Sequence, residues 1–205
     1  MTSKLSRRGW LRLLSAAPIL PLTASAAELA KTVGTAEGPY YPTPSMRTKD
    51  IDNDLVKIEQ HVREAGGEVV YLTGLVVDSS SSPLSDLRVE IWQCDALGRY
   101  IHTKDRNRSS RDEGFQGFGH TITDESGRYE FRTIKPVPYT GRTPHIHVKV
   151  FQDASVLTTQ FYLKGHPNNL NDGLFNRMNA AQQAAVEMDF VKQDDKTVAT
   201  VDIVV

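Results

Sequence analysis

Short runs of alternating apolar and polar positions, bounded by turn residues, recur along most of the chain. VVYLTGLVVD (residues 69–78) is rich in β-branched side chains and predicts a strand. SSSSPLSD follows as a turn. LRVEIWQCD (87–95) alternates, with Leu87, Val89, Ile91 and Gln93 on one face and Trp92 on the other, toward a second layer or an arm. Residues 96–120 hold many Gly, Ser, Asp and Arg and predict a long loop. After the turn at 124–127, RYEFRTI (128–134) predicts a strand. A second loop, 135–144, carries Pro136, Pro138 and Pro144. HIHVKVF (145–151) and LTTQFYL (157–163) predict two more strands. A short helix is expected within 179–188, and 197–205 closes the chain as a strand. Short strands joined by turns predict an all-β fold: an antiparallel β-sandwich with long loops carrying the site and little helix.

The region before the first strand is different. EGPYYPTP (37–44) is too proline-rich for regular structure and reads as part of an extended arm over 27–66, ahead of a sandwich domain at 67–205. Residues 1–26 contain Arg7 and Arg8, an apolar run from Trp10 to Leu22, and Ala24-Ser25-Ala26. That is the build of a secretory signal. Ser6-Arg7-Arg8-Gly9-Trp10-Leu11 resembles a twin-arginine motif, with Trp10 where Phe is usual, and a plain secretory signal is the alternative. The expectation is export to the periplasm. The apolar run is short and holds Pro18 and Pro21, so no membrane span is expected from it.

Composition narrows the function classes. The 205 residues are 39% hydrophobic and 24% charged, ordinary for a soluble globular protein. Formal net charge is -1, and losing Lys4, Arg7, Arg8 and Arg12 from 24 basic residues would leave 20 against 25 acidic ones. Neither balance points to a nucleic-acid partner. One cysteine, Cys94, permits no internal disulfide and reads as a core residue at a strand end.

The candidate chemistry lies in the two loops and the strand after them. His145 and His147, two apart on a strand, point to one face. They are half of a metal site or two satisfied strand histidines, and the spacing alone leaves both open. Tyr100 ends one loop segment and Tyr139 sits in the next. Two phenol oxygens with two imidazoles would suit a hard ion such as ferric iron, whereas zinc and copper more often take His, Cys or carboxylate.

Longer motifs carry more. VEIWQCDALGRYIH, GFGHTITDESGRYEFRTIKPVPY, RTPHIHVKV and TTQFY, in that order and with EGPYYP ahead of them, resemble the intradiol ring-cleavage dioxygenases, on the protocatechuate 3,4-dioxygenase side. The resemblance covers roughly residues 37–165. It implies a non-haem Fe(III) enzyme that incorporates both atoms of O2 into a catechol-type substrate and yields a muconic-type diacid. It places the iron ligands at Tyr100, Tyr139, His145 and His147, with Tyr139 the one displaced by substrate. It assigns Arg142 a preorganised positive charge beside the ring, and puts Gln160 close to the site. The 139–145 loop is short against some relatives, which leaves the pocket wall and the particular catechol open. The long helical N-terminal region of the catechol 1,2-dioxygenase branch is absent, so that branch's dimer interface is not expected, though another homo-oligomer is compatible.

Other readings of the same residues are a non-enzymatic transthyretin-like binding module and a zinc or copper hydrolase using the two histidines. His61, His102, His120 and His166 read as solvated. His102 and Arg106 are alternatives for contacting a substrate carboxylate, and Tyr40 and Tyr41 either close the pocket or only pack.

Overall fold

The computed structural model describes residues 28–205; the expected signal at 1–26 lies outside them. Ten strands form two five-stranded sheets. The first has β1 (Val69–Val77) at its centre, with β4 (Arg128–Ile134) along one side. On its other side lie β9 (Lys196–Thr200) and β10 (Ile203–Val204), with β8 (Val191–Gln193) beyond β9. The second runs β3-β2-β5-β6-β7, where β2 is Arg88–Trp92, β3 Phe118–Ile122, β5 His145–Gln152, β6 Ser155–Leu163 and β7 Glu187–Met188.

Alternation along the strands builds the sandwich. Val89 and Ile91 of β2 lie opposite Val150 and Val148 of β5, and Ile146 lies opposite Phe161 of β6. All are buried in the main core with Leu72, Val76, Phe131 and Ile134. Each such side chain stabilises the fold by roughly 1.5–3 kcal/mol. Gln93, as expected, faces the core side of its strand. It donates to the Ile134 carbonyl at 3.0 Å and accepts from the Thr133 hydroxyl at 2.9 Å, so both ends of its amide are partnered.

The structure corrects several expectations. The sheets are mixed: β1 pairs in parallel with β9 and β10, and β6 with β7. The 96–120 loop is shorter than predicted because β3 begins at Phe118. Gly119 masks that strand in the sequence, yet a Cβ there would lie 2.5 Å from the Asp52 carbonyl, so only glycine admits the 28–66 segment against it. The C-terminal strand breaks into two. The Val201 carbonyl turns to accept from the Tyr129 hydroxyl at 2.6 Å, and Asp202 accepts from the Leu75 amide at 2.8 Å. The short strands β7 and β8 were not expected. The helix was: α1, Ala180–Ala185, starts at a reciprocal capping box between Asn179 and Gln182.

Residues 28–66 hold one 3-10 turn, Pro44–Met46, and no strand. They are nevertheless integral to the fold. Leu55 and Val56 are buried in the main core, and Thr35 donates its amide to Thr158 of β6 at 2.8 Å. This segment covers the outer face of the second sheet at Trp92 and His147, and the 164–186 segment flanks it, so polar side chains on that face are buried.

Candidate metal centre and active site

On that outer face, strand register sets side chains in rows. Trp92, His147 and Gln160 are cross-strand neighbours, and His145 faces Tyr162 one row along. His145 and His147 are each 1% exposed. Trp92 stacks flat on His147, with ring centroids 4.6 Å apart and planes at 10°.

Two turns deliver the tyrosines to the same place. After β2, Asp95 accepts from the amides of Leu97 and Arg99, and Gly98 takes φ +73. Asp105 then accepts from the Tyr100 amide at 2.7 Å and fixes where that ring enters. A Cβ on Gly98 would sit 3.2 Å from the Pro138 carbonyl, so glycine lets the two tyrosine loops meet. Tyr139 opens a turn closed by the Arg142 amide on its carbonyl at 2.9 Å, with Gly141 at φ +77. Tyr100 and Tyr139 meet edge to face at 5.2 Å, and Tyr139 lies 5.5 Å from His145 by ring centroid. The four predicted ligands therefore converge.

Their electrostatics are those of uncharged groups facing one another without enough partners. The Thr143 carbonyl accepts from His145 Nδ1 at 2.7 Å, which puts the proton on Nδ1 and leaves Nε2 with a lone pair. That Nε2 lies 3.2 Å from Nε2 of His147, whose Nδ1 is buried without a partner. Burial first, then the Arg142 charge, pushes His145 down to about 4. Burial, then His145 and Arg142, holds His147 well below the usual imidazole range. Both are neutral and ready to ligate at neutral pH. The Tyr100 hydroxyl is buried with no well-formed hydrogen bond, although Tyr139 is close enough to influence its ionisation. Burial raises it well above the ordinary phenol value and, against the lowering effect of Arg142, raises Tyr139 too. A phenolate at either position needs a nearby cation. The donor set therefore fits a hard metal ion, which would give the Tyr100 hydroxyl the partner it lacks and take the two Nε2 atoms that here pair only with each other. Among the described residues no group of three or more His, Cys, Asp or Glu is placed to hold a metal, which disfavours the zinc or copper hydrolase.

Arg142 and Gln160 lie beside the four converging side chains, and a residue not anticipated holds Arg142. Asp172, in the turn after 3-10 residues Pro167–Asn171, has a fully buried side chain. It accepts from Arg142 Nε at 2.7 Å and from the amides of Thr143, Leu174 and Phe175. Burial alone would raise this carboxyl. The bonds from Arg142, Phe175 and Thr143 outweigh it and hold Asp172 below its ordinary 3.8. Arg142 also donates to Gln160 Oε1 at 2.6 Å and reaches the Tyr139 hydroxyl at 3.5 Å. Gln160 passes the connection to the N-terminal segment by donating to the Ala36 carbonyl at 3.0 Å. In sequence Asp172 lies in NDG, which signals only a turn.

The remaining candidates separate. Tyr40 stacks on Tyr100 at 4.6 Å and meets Tyr139 at 5.9 Å, so it covers the site. Tyr41 packs on Trp92 rather than on any of the four converging side chains, and donates to Glu90 at 2.7 Å. His102, expected to be solvated, is buried within 6.1 Å of Tyr40. Arg106 lines a separate cavity of about 420 Å³ with Thr103, Asp105 and Arg108, and none of the four converging residues lines it. Cys94 is buried and its thiol is pushed up to about 12 chiefly by burial, so it is chemically quiet.

A family model described as Dioxygenase matches residues 36–205. The chain is 39% identical over 134 residues to the protocatechuate 3,4-dioxygenase beta chain of Burkholderia cepacia, covering 61% of this chain and 57% of that one. It is 30% identical over 128 residues to a catechol 1,2-dioxygenase of Acinetobacter baylyi, covering 53% and 40%. The chain thus spans about half the length of the curated relatives it matches. Among solved structures it is similar to the dioxygenase domain of a dioxygenase carbohydrate-binding protein fusion from Streptomyces sp. SirexAA-E. That match has a TM-score of 0.67 and 31% identity, over 86% of this chain and 98% of that one. An intradiol ring-cleavage dioxygenase from Tetranychus urticae shares the fold, with a TM-score of 0.66 at 23% identity over 86% and 94%.

Proposed function

The chain belongs to the intradiol ring-cleavage dioxygenase family, and from that premise we propose that it binds Fe(III) through Tyr100, Tyr139, His145 and His147 and cleaves a catechol-type ring with O2 to a muconic-type diacid. The observation that carries this reading is the meeting of two neutral imidazole Nε2 atoms, 3.2 Å apart, with a buried hydroxyl that has no partner. A transthyretin-like binding module has no use for such a cluster, because leaving buried polar atoms unpaired costs roughly 1–3 kcal/mol each.

Ferric iron, when bound, supplies the Lewis acid that draws electron density from the catechol and opens its ring to O2. The residues prepare for this. His145 and His147 enter as neutral donors, and Tyr100 as a buried one. Tyr139 is partly exposed and beside Arg142, so of the two tyrosines it is the one that, if held as phenolate by bound iron, could take the proton of an entering catechol hydroxyl. Arg142, fixed by Asp172 and Gln160, keeps its guanidinium N–H groups in place beside the Tyr139 hydroxyl without needing to reorganise. Tyr40 and Trp92 keep water from the ligands. Export to the periplasm is part of the same reading, and the N-terminal Arg7-Arg8 motif supports it.

The test is the visible spectrum of the ferric-loaded protein, before and after anaerobic addition of catechol. A tyrosinate-to-iron band that shifts on addition, followed by O2 uptake and a diacid product in air, is the expected result. A protein that stays colourless after ferric loading sinks the iron reading.

A further inference from the structure

Beside Tyr139 and Arg142 lies a cavity of about 270 Å³, open to solvent, whose wall also includes Pro138, Asn168, Asn171 and Asp172. It adjoins the groups assigned above to substrate entry and to the ring, so the ring's substituent would extend into it. The wall has no free charge. Arg142 is its one cation, and the buried Asp172 carboxylate, at 2.7 Å, neutralises it. Arg142's donors are further committed to Gln160 and to the Tyr139 hydroxyl. By contrast, the side-chain amides of Asn168 and Asn171 are exposed and form no hydrogen bond with the described residues. Each offers both a donor and an acceptor. No Cβ placed on Gly141 or Gly173 would meet an atom within 4 Å, so the mouth is roomy.

We propose that this cavity is the ring-substituent subsite, and that its paired ions and free amides select catechols with a neutral hydrogen-bonding substituent over those with a carboxylate. This rests on the dioxygenase reading. A carboxylate placed here would lose hydration and find no uncompensated cation, whereas an amide, hydroxyl or ether finds partners in Asn168 and Asn171. Accordingly this chain differs in preference from the protein named for protocatechuate to which it is 39% identical.

The experiment compares catechol, 3,4-dihydroxybenzoate and 3,4-dihydroxybenzamide, which place an acid or its neutral amide at one ring position. Anaerobic binding to the ferric protein and kcat/KM in air are both measured. The amide should bind tighter than the acid by on the order of tenfold, and be favoured in kcat/KM by a similar factor. Asn171→Lys supplies the missing cation and should move the preference toward the acid by about tenfold. An acid bound as tightly as the amide by the unaltered protein overturns the inference, and so does an Asn171→Lys protein with an unchanged ratio. If catechol itself is neither bound nor cleaved, the dioxygenase reading falls and takes the inference with it. If catechol is cleaved but the amide has no advantage, the inference falls alone.

Discussion

Tyr100 and Asp172 are both almost wholly buried, and they differ in what the fold gives them. Asp172 is satisfied four times over, while the Tyr100 hydroxyl has no well-formed bond. Opposite predictions follow from removing each polar atom. In the metal-free protein Tyr100→Phe deletes an unpaired hydroxyl and keeps the ring against Tyr40, so stability should hold or rise by about 1 kcal/mol. The same variant should lose the visible iron band and most ferric affinity. Denaturant unfolding without metal, paired with ferric titration, checks this, and a strongly destabilised Tyr100→Phe would mean the hydroxyl has a partner. Asp172→Asn keeps the size but sets an NH2 group against N–H donors, whether those of Arg142 and Thr143 or those of Leu174 and Phe175. It should destabilise the fold by about 1–3 kcal/mol. It should also cut kcat by roughly 10–100-fold with a smaller change in KM, because Arg142 acts only where it is held. An equal loss from Arg142→Lys, together with a normal kcat in Asp172→Asn, would deny Asp172 its positioning role.

At the scale of elements, strands with clean alternation were legible and those bent to local needs were not. β4 and β5 start where the sequence reading placed them, since polar and apolar positions alternate in RYEFRTI and HIHVKVF and turns precede both. Their arrival beside Tyr100 was legible only through the resemblance, because the convergence depends on Gly98 letting two loops touch. β3 was hidden by the glycines around Phe118: Gly117 takes φ +69 at the bend before the strand, and Gly119 serves close packing inside it. The break at Val201–Asp202 was hidden because its causes, Tyr129 and Leu75, lie far away in sequence. That break passes directly over β1: a Cβ on Gly74 would lie 1.9 Å from the Val201 carbonyl and 3.0 Å from the Tyr129 ring. Gly74→Ala must therefore push the C-terminal strands off β1 or distort β1 itself. A loss of several kcal/mol is expected, at the upper end for single substitutions. A thermal melt should show it, and a Tm within a degree or so of the unaltered protein would show that the C-terminal segment shifts freely.

For the whole molecule, the sign of its pH dependence follows from where the fold puts its histidines. Burial lowers His102, His120, His145 and His147 below the ordinary 6.5, His145 to about 4. For each, the unfolded chain takes up a proton that the folded chain refuses. Unfolded protein therefore binds more protons across the window from 6.5 down to the folded value, and stability falls as pH drops through it. Above 6.5 both states are neutral and these groups contribute no slope. The carboxylates add a second, lower window. Asp172 is held below 3.8, so what it contributes is present above that value and lost as pH falls through its folded value. Urea unfolding of the metal-free protein should thus give a midpoint that is flat above about pH 7. It should decline from 6.5 toward about 5, by on the order of 3 kcal/mol if the two buried site histidines dominate, and steepen again below 3.8. Replacing His147 with Gln, which cannot be protonated, should lessen the decline in the upper window, leaving the share that His145 contributes. A metal-free protein whose stability stays level to about pH 5 would mean that the site histidines are reached by water and proton, and that the cover made by Tyr40 and Trp92 opens before the fold does.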